Sequence, residues 1–76
     1  MVRTFQVWNN QSNNRIDEFD TESDALDEIR WRVERRGEDV VQSLALIGLD
    51  ATDQVAMVIE GERLLCLVRE RISLTA

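Results

Sequence analysis

FDTESDALDEIRWRVERRGED, residues 19–39, carries the strongest structural signal in the chain and predicts its first helix. Thr21 is a favourable N-cap, and Asp24 three positions later is a shorter substitute for the glutamate of a capping box. Acidic residues fill the early turns and arginines the late ones, which complements the helix dipole at both ends. Gly37 supplies a residue type that commonly ends helices. The residues at helical spacing that we expect to be buried are Ala25, Leu26, Ile29 and Val33.

The segment before this helix predicts a β-hairpin. VRTFQVWN, residues 2–9, is rich in β-branched and aromatic residues, and RIDEF, residues 15–19, resumes an extended pattern. The amide-rich NNQSNN, residues 9–14, lies between them, with Asn13 and Asn14 where glycine is expected in a tight turn. Asparagine tolerates left-handed backbone angles, so we interpret this segment as a hairpin loop, with a ligand-reading loop as the alternative. Alternation in the first strand places Phe5 and Val7 on one face and Val2, Thr4, Gln6 and Trp8 on the other.

A second hairpin and a closing helix are predicted in the remainder. VVQSLALIGL, residues 40–49, and QVAMVI, residues 54–59, are apolar enough for strands, and DATD between them is rich in turn formers. Residues 62–72 place Leu64, Leu65, Val68 and Ile72 on one helical face, and a fifth strand over 62–71 is the alternative. The order β-β-α-β-β-α predicts one α+β domain over 1–76, with an antiparallel four-stranded sheet and both helices on one face.

Composition limits the class of protein. The chain has 76 residues, so its core is small and oligomerisation is an expected source of stability. Fifteen acidic against nine basic residues give a net charge of −6, which opposes binding to nucleic acid or anionic lipid. The lone Cys66 lies in LLCLV and is expected to be a small buried hydrophobe in a reducing cytoplasm. Neither a signal peptide nor a membrane span is predicted, so we expect a cytoplasmic protein.

The residue types present argue against catalysis. Histidine, lysine and tyrosine are all absent, which removes the commonest acid-base groups and the Schiff-base nucleophile. DEFDTESD, residues 17–24, is acidic but lacks the spacing of a calcium loop, and its acids are explained by the helix N-terminus. We therefore predict no enzyme activity, no catalytic residue, no metal, no cofactor and no small-molecule substrate.

The two tryptophans are the candidate anchors for a protein partner. Trp31 projects opposite the buried stripe of the helix, and Trp8 points to the sheet face that the helices leave uncovered. Tryptophan and arginine are enriched at binding hot spots, and exposed apolar patches commonly mark association. The alternative is that Trp8 packs against the closing helix or terminal residues and that Trp31 lies under an arginine. The predicted partner-binding residues are Trp8, Trp31, Arg32 and Arg35.

A nucleic-acid-associated regulator is the competing hypothesis. RWRVERR, residues 30–36, is a basic cluster with an inserted tryptophan, and would contact phosphate through Arg30, Arg32, Arg35 and Arg36. The position of these arginines at a helix C-terminus is a sufficient structural reason for them, and the surrounding acids repel phosphate.

The combination of VWN at 7–9, RIDEFDTESDAL at 15–26 and IEGERLL at 59–65 resembles a group of small prokaryotic proteins of unassigned function with a β-β-α-β-β plan. A fainter similarity is to HicB-like antitoxins, in which an acidic hairpin-plus-helix domain neutralises a small toxin. Neither resemblance implies a catalytic residue. The function expected from the sequence is a noncatalytic interaction module, a homodimer or a subunit that binds another protein, with a nucleic-acid-associated or antitoxin-like regulator as the alternative.

Overall fold

The structure, a computed structural model, describes residues 2–75, with side chains described as far as residue 73. The elements in chain order are β1 (Thr4–Asn9), β2 (Asn14–Phe19), α1 (Glu22–Arg36), a 3₁₀ helix (Glu38–Ser43), β3 (Leu44–Leu49), β4 (Val55–Glu60) and α2 (Gly61–Thr75). The described elements therefore confirm the predicted order, with the 3₁₀ helix as an addition.

The sheet is antiparallel throughout and its strand order is β2-β1-β3-β4. The inner strands β1 and β3 pair along their whole length, and Val7 lies directly opposite Leu46 at the centre with both side chains fully buried. Each half of the chain thus supplies a hairpin followed by an α-helix, and the two ββα units meet along the β1–β3 ladder. The predicted α+β class and the four-stranded antiparallel sheet are confirmed.

Both α-helices pack on one face of this sheet. The stripe predicted for α1 is buried in full, and α2 buries Leu64 and Val68 while Leu65 and Ile72 pack at the margin of the core. The closing helix is confirmed and the alternative of a fifth strand is wrong. The buried cluster that joins the helices to the sheet consists of Val7, Ala25, Leu26, Ile29, Val33, Val41, Leu44, Leu46, Ile59, Leu64 and Val68.

The ends of α1 form as the sequence predicts. The Thr21 side-chain oxygen accepts a hydrogen bond from the backbone N–H of Asp24 at 3.1 Å, which satisfies one of the free donors of the first turn. Gly37 has φ 91°, a value that L-residues rarely adopt, and its N–H donates to the Val33 carbonyl at 2.7 Å. These local bonds explain why the helix boundaries could be read from the sequence.

The amide-rich segment is a hairpin loop, as predicted. The Asn9 side-chain oxygen accepts from the backbone N–H groups of Gln11 at 2.9 Å and Ser12 at 3.1 Å. Asn13 takes the left-handed conformation, with φ 56°, and Asn14 already begins β2. Asn9 and Asn13 therefore serve the main chain of the turn, the first through its side-chain acceptor and the second through tolerance of positive φ.

Residues 40–43 were expected in a strand and instead belong to the 3₁₀ helix, so that prediction is wrong. Val41 is buried in the core and Val40 packs against it, and the Ser43 hydroxyl donates to the Val40 carbonyl at 2.9 Å. The apolar pair thus reaches the core from a tight helical turn that follows Gly37. The strand begins only at Leu44.

The predictions for two side chains are wrong: Val2 lies on the other face of the sheet, and Cys66 is exposed rather than buried. Val2 was placed on the face of Trp8, but a Cβ atom on Gly48 would lie 2.8 Å from Val2 Cγ1, so Val2 occupies the space above this glycine on the helix-covered face. Cys66 was expected to be buried and is exposed. It points away from Leu64 and Val68 because α2 turns about 100° per residue.

Ion pairs fasten the helices to one another and to the 3₁₀ helix. Arg71 Nε donates to Asp27 Oδ1 at 2.8 Å, and this hydrogen bond and charge lower the pKa of Asp27 from its ordinary value. Arg69 binds both carboxylate oxygens of Glu38 at 2.8 Å and likewise lowers the pKa of that group. The Arg69–Glu38 pair is exposed to solvent and contributes little to stability, whereas the Arg71–Asp27 pair is partly buried.

Candidate interaction surface

Within residues 2–75, no helix packs on the face of the sheet opposite α1 and α2, which we call the open face. Strand alternation and register assign to it alternate residues of the four strands. A β-bulge in β2 and another in β4 bring the side chains of these outer strands into the same rows as those of the inner strands. Its members are Thr4, Gln6, Trp8, Arg15, Glu18, Ala45, Ile47, Leu49, Val55, Val58 and Glu60.

The half of the open face formed by β3 and β4 is apolar except for Glu60 at the end of β4. Ala45 is fully buried within it, and Ile47 and Leu49 are partly buried. Val58 and Val55 on the outer strand expose 48% and 61% of their surface. A solvent-facing side of an antiparallel sheet is ordinarily polar, so this half departs from the usual pattern.

The half formed by β1 and β2 is polar, but its groups bond one another. Trp8 Nε1 donates to Gln6 Oε1 at 2.9 Å, and Gln6 Nε2 donates to Glu18 Oε2 at 2.8 Å. Arg15 Nη1 lies 3.5 Å from the same Glu18 oxygen. Gln6 is only 8% exposed, and the indole N–H, the one polar group of Trp8, already has a partner. Another surface can therefore cover these hydrogen-bonded side chains while the indole N–H and the Gln6 amide keep their partners.

Trp8 lies on the open face, as predicted. Since α2 packs on the other side of the sheet, the alternative in which Trp8 packs against the closing helix is wrong. Val2 near the amino end also lies on the other side. The side chains of residues 74–76, the other terminal segment, fall outside the described part of the chain.

Trp31 projects from α1 toward solvent, as predicted, and is 51% exposed. The Arg35 guanidinium carbon lies 4.7 Å from the centre of its ring, so the stacking arginine foreseen as the alternative is also present. Trp31 belongs to the helix layer and Trp8 to the opposite face of the sheet, so the two tryptophans do not form one surface.

The arginines near Trp31 have acidic neighbours along the helix. Arg32 Nε lies 3.5 Å from Glu28 Oε2, and Arg30 Nε lies 3.7 Å from Glu34 Oε1. These pairs at i,i+4 spacing partly offset the positive charge that Arg30 and Arg32 present to a phosphate.

Three polar residues shape the open face, namely Gln6, Glu18 and Glu60. The sequence pattern placed Gln6 on the face of Trp8 without giving it a role, and it did not indicate Glu18 or Glu60. The available signal was the Gln-x-Trp spacing in β1, which places both side chains on one face of a strand. Asn10 Nδ2 donates to Glu60 Oε2 at 3.1 Å and its backbone N–H donates to the Ser43 carbonyl at 2.7 Å. The asparagine loop is thereby bonded to the end of β4 at the rim of the open face.

The turn between β3 and β4 is organised by Asp50. Its Oδ1 accepts from the Thr52 hydroxyl at 2.7 Å, the Thr52 N–H at 2.8 Å and the Gln54 N–H at 3.1 Å. The Thr52 hydroxyl and these two N–H groups hold the pKa of Asp50 below its ordinary value. The polar groups of this turn therefore act on its own backbone.

Among residues 2–75, no group of three or more histidine, cysteine, aspartate or glutamate side chains is arranged to hold a metal ion. No helix in this part of the chain has the length and apolar composition needed to cross a membrane. Comparison of the chain with protein-family models, with curated proteins and with solved structures gave no significant match.

Proposed function

We propose that this protein is a noncatalytic interaction module of the cytoplasm that binds a polypeptide, either a second copy of itself or another protein, through the open face of its sheet. The observation that supports this most directly is the apolar half of that face, where Ile47, Leu49, Val55 and Val58 stand at positions that solvent-facing strands usually fill with polar residues.

The neighbouring polar half suits the same role. A partner that covers Trp8 and Gln6 removes water from groups that are already hydrogen bonded, so the desolvation cost is small. Trp8 also contributes a large aromatic surface, which is common at the centre of binding hot spots. The small size of the chain adds a thermodynamic reason for association, since a 76-residue domain buries a limited share of its surface alone.

Trp31, Arg32 and Arg35 form a second candidate contact on the helix layer. We rank it below the open face because Arg35 already covers part of the indole and Arg32 is paired with Glu28. The same contacts argue against the regulator that binds nucleic acid, because paired arginines on a chain of net charge −6 attract phosphate weakly. The residue types also favour a noncatalytic role, given the absence of histidine, lysine and tyrosine.

Site-specific photocrosslinking in the native cells tests the proposal. A photoreactive phenylalanine analogue replaces Val58 on the open face, Trp31 on the helix layer, or Gln42 in the 3₁₀ helix as an exposed control. We expect a discrete protein adduct from position 58 and none from position 42. Adducts from position 31 alone would assign the interface to the helix layer, and absence of any adduct from position 58 would refute binding through the open face.

A further inference from the structure

We propose that the open face binds a second copy of this chain, face to face, about a twofold axis that runs parallel to the strands. This inference rests on the proposed function and adds the identity and orientation of the partner. It is based on how charge and side-chain size are distributed across the rows of the open face.

One row of the open face crosses all four strands and ends in opposite charges. The register places Arg15 on β2 beside Trp8 on β1, then Ala45 on β3 and Glu60 on β4. The row thus begins with a basic residue and ends with an acidic one, and between them a large side chain lies next to a small one. Ala45 is 2% exposed and Trp8 is partly exposed, so the row has a low position next to a high one.

A twofold axis parallel to the strands reverses the strand order of the facing sheet. It lays β2 over the partner's β4 and β1 over the partner's β3. Arg15 then faces the partner's Glu60, and Trp8 faces the partner's Ala45. The symmetry repeats each relation, so both ion pairs form together and each Trp8 lies over the strand position of the partner's Ala45.

The other twofold axis in the plane between the sheets runs across the strands and is disfavoured by charge. It keeps each strand over its own copy, so the central row of Glu18, Gln6, Ile47 and Val58 faces itself. Glu18 would then oppose the partner's Glu18, which is repulsive. The axis parallel to the strands instead places Glu18, whose side chain is 48% exposed, opposite the partner's Val58 at the edge of the contact, so no two carboxylates face each other.

Addition of a copy at a sheet edge is less favourable than contact through the face. Both outer strands carry a bulge, at Ile16 in β2 and at Ala56 in β4, and bulges are a common obstacle to edge-to-edge pairing. The charged residues of β2 add to this obstacle.

The open face is small, and we therefore expect weak association. Four strands about 4.8 Å apart and six residues long, at about 3.3 Å per residue, give a planar face of about 400 Å² per copy. The two copies together cover about 800 Å², which is below the roughly 1,200 Å² of stable specific interfaces and in the range of weak, transient ones, so we expect dissociation at micromolar or higher concentration. The measurement must extend to several hundred micromolar protein.

The decisive experiment mixes two charge-reversal variants, Arg15→Glu and Glu60→Arg, and follows mass by sedimentation velocity. Each variant alone places two like-charged pairs in the homodimer, whereas the mixed dimer restores both opposite pairs. We expect the mixed dimer to be at least about tenfold tighter than either homodimer. Internal effects of each substitution, such as loss of the Glu60 contact to Asn10, are present in both the homodimer and the mixture and do not mimic this result.

The matched control replaces Glu60→Arg in the mixture by Glu70→Arg, an exposed position on α2 that gives the same net charge. We expect no preference for the mixed dimer with this control. A wild-type dimer without preferential pairing of the two variants would overturn the proposed axis. A monomer at every concentration would overturn the second copy as partner, whereas a crosslinked adduct of different mass from position 58 would still support the proposed function.

Discussion

The hydrogen-bonded chain on the open face makes Gln6 a sensitive position, and Gln6→Met tests it with little change in side-chain volume. The substitution removes the acceptor of the Trp8 indole N–H and the donor to the Glu18 carboxylate. Each bond contributes about 0.5–1.5 kcal/mol net, so the pair amounts to about 2 kcal/mol. Methionine is more apolar than glutamine, so its burial at this site recovers about 0.5 kcal/mol of the lost stability.

We therefore expect Gln6→Met to lower the free energy of unfolding by about 1.5 kcal/mol. Unfolding entropy of about 2.1 cal/mol/K per residue over 76 residues converts this to a fall in Tm of about 9 °C. Urea unfolding followed by far-ultraviolet circular dichroism measures the change, at low micromolar protein so that association does not contribute.

The matched control is Gln42→Met in the 3₁₀ helix, where the glutamine is exposed and a change of at most about 0.5 kcal/mol is expected. Equal effects of the two substitutions would refute the reasoning, because they would mean that solvent satisfies Trp8 and Glu18 as well as Gln6 does. A double-mutant cycle with Trp8→Phe should in addition give a coupling of about 1 kcal/mol if the bond to the indole is formed.

Three further substitutions follow from the fold. Ile29→Ala empties a fully buried position and should cost about 3 kcal/mol in urea unfolding, with Ile29→Val costing about 1 kcal/mol. Asn13→Gly should leave Tm within about 3 °C because glycine adopts φ 56° freely, whereas Asn13→Ala should lower stability by about 1 kcal/mol. Asp27→Asn should cost about 0.5 kcal/mol near pH 6. Since Arg71 lowers the folded-state pKa of Asp27, that difference should begin to shrink as pH falls below about 4 and vanish once pH is below the folded-state pKa, and a difference that grows toward acid would contradict the assignment.

Helix α1 and the first hairpin could be predicted because their signals are local. Thr21, Gly37 and the asparagines act on backbone groups within a few residues of themselves. The 3₁₀ helix was missed because Val40 and Val41 are equally suited to a buried strand, and only tertiary contact with the core distinguishes the two. The exposure of Cys66 could have been predicted from helical spacing, since Leu64 and Val68 define the buried side of α2 and Cys66 lies opposite them.

The open face was only partly predictable. Alternation in β1 placed Trp8 correctly. Its position opposite Ala45 depends on the pairing of β1 with β3, which are separated in the sequence by β2 and α1. The position of Arg15 in the same row depends on the bulge in β2. Strand order and bulges are set by packing between distant segments, so a strand pattern alone does not specify them.

The meeting of the two ββα units along the β1–β3 ladder has a consequence for how the chain folds. Each hairpin can form from near neighbours, but Val7 and Leu46 come together only after a loop of about forty residues has closed. We expect this long-range closure to limit the folding rate. The two units are joined near the exposed Gly37, and this covalent link mainly raises their local concentration. If the chain is cut there, the two fragments should reassemble into the same sheet at a rate that depends on their concentration.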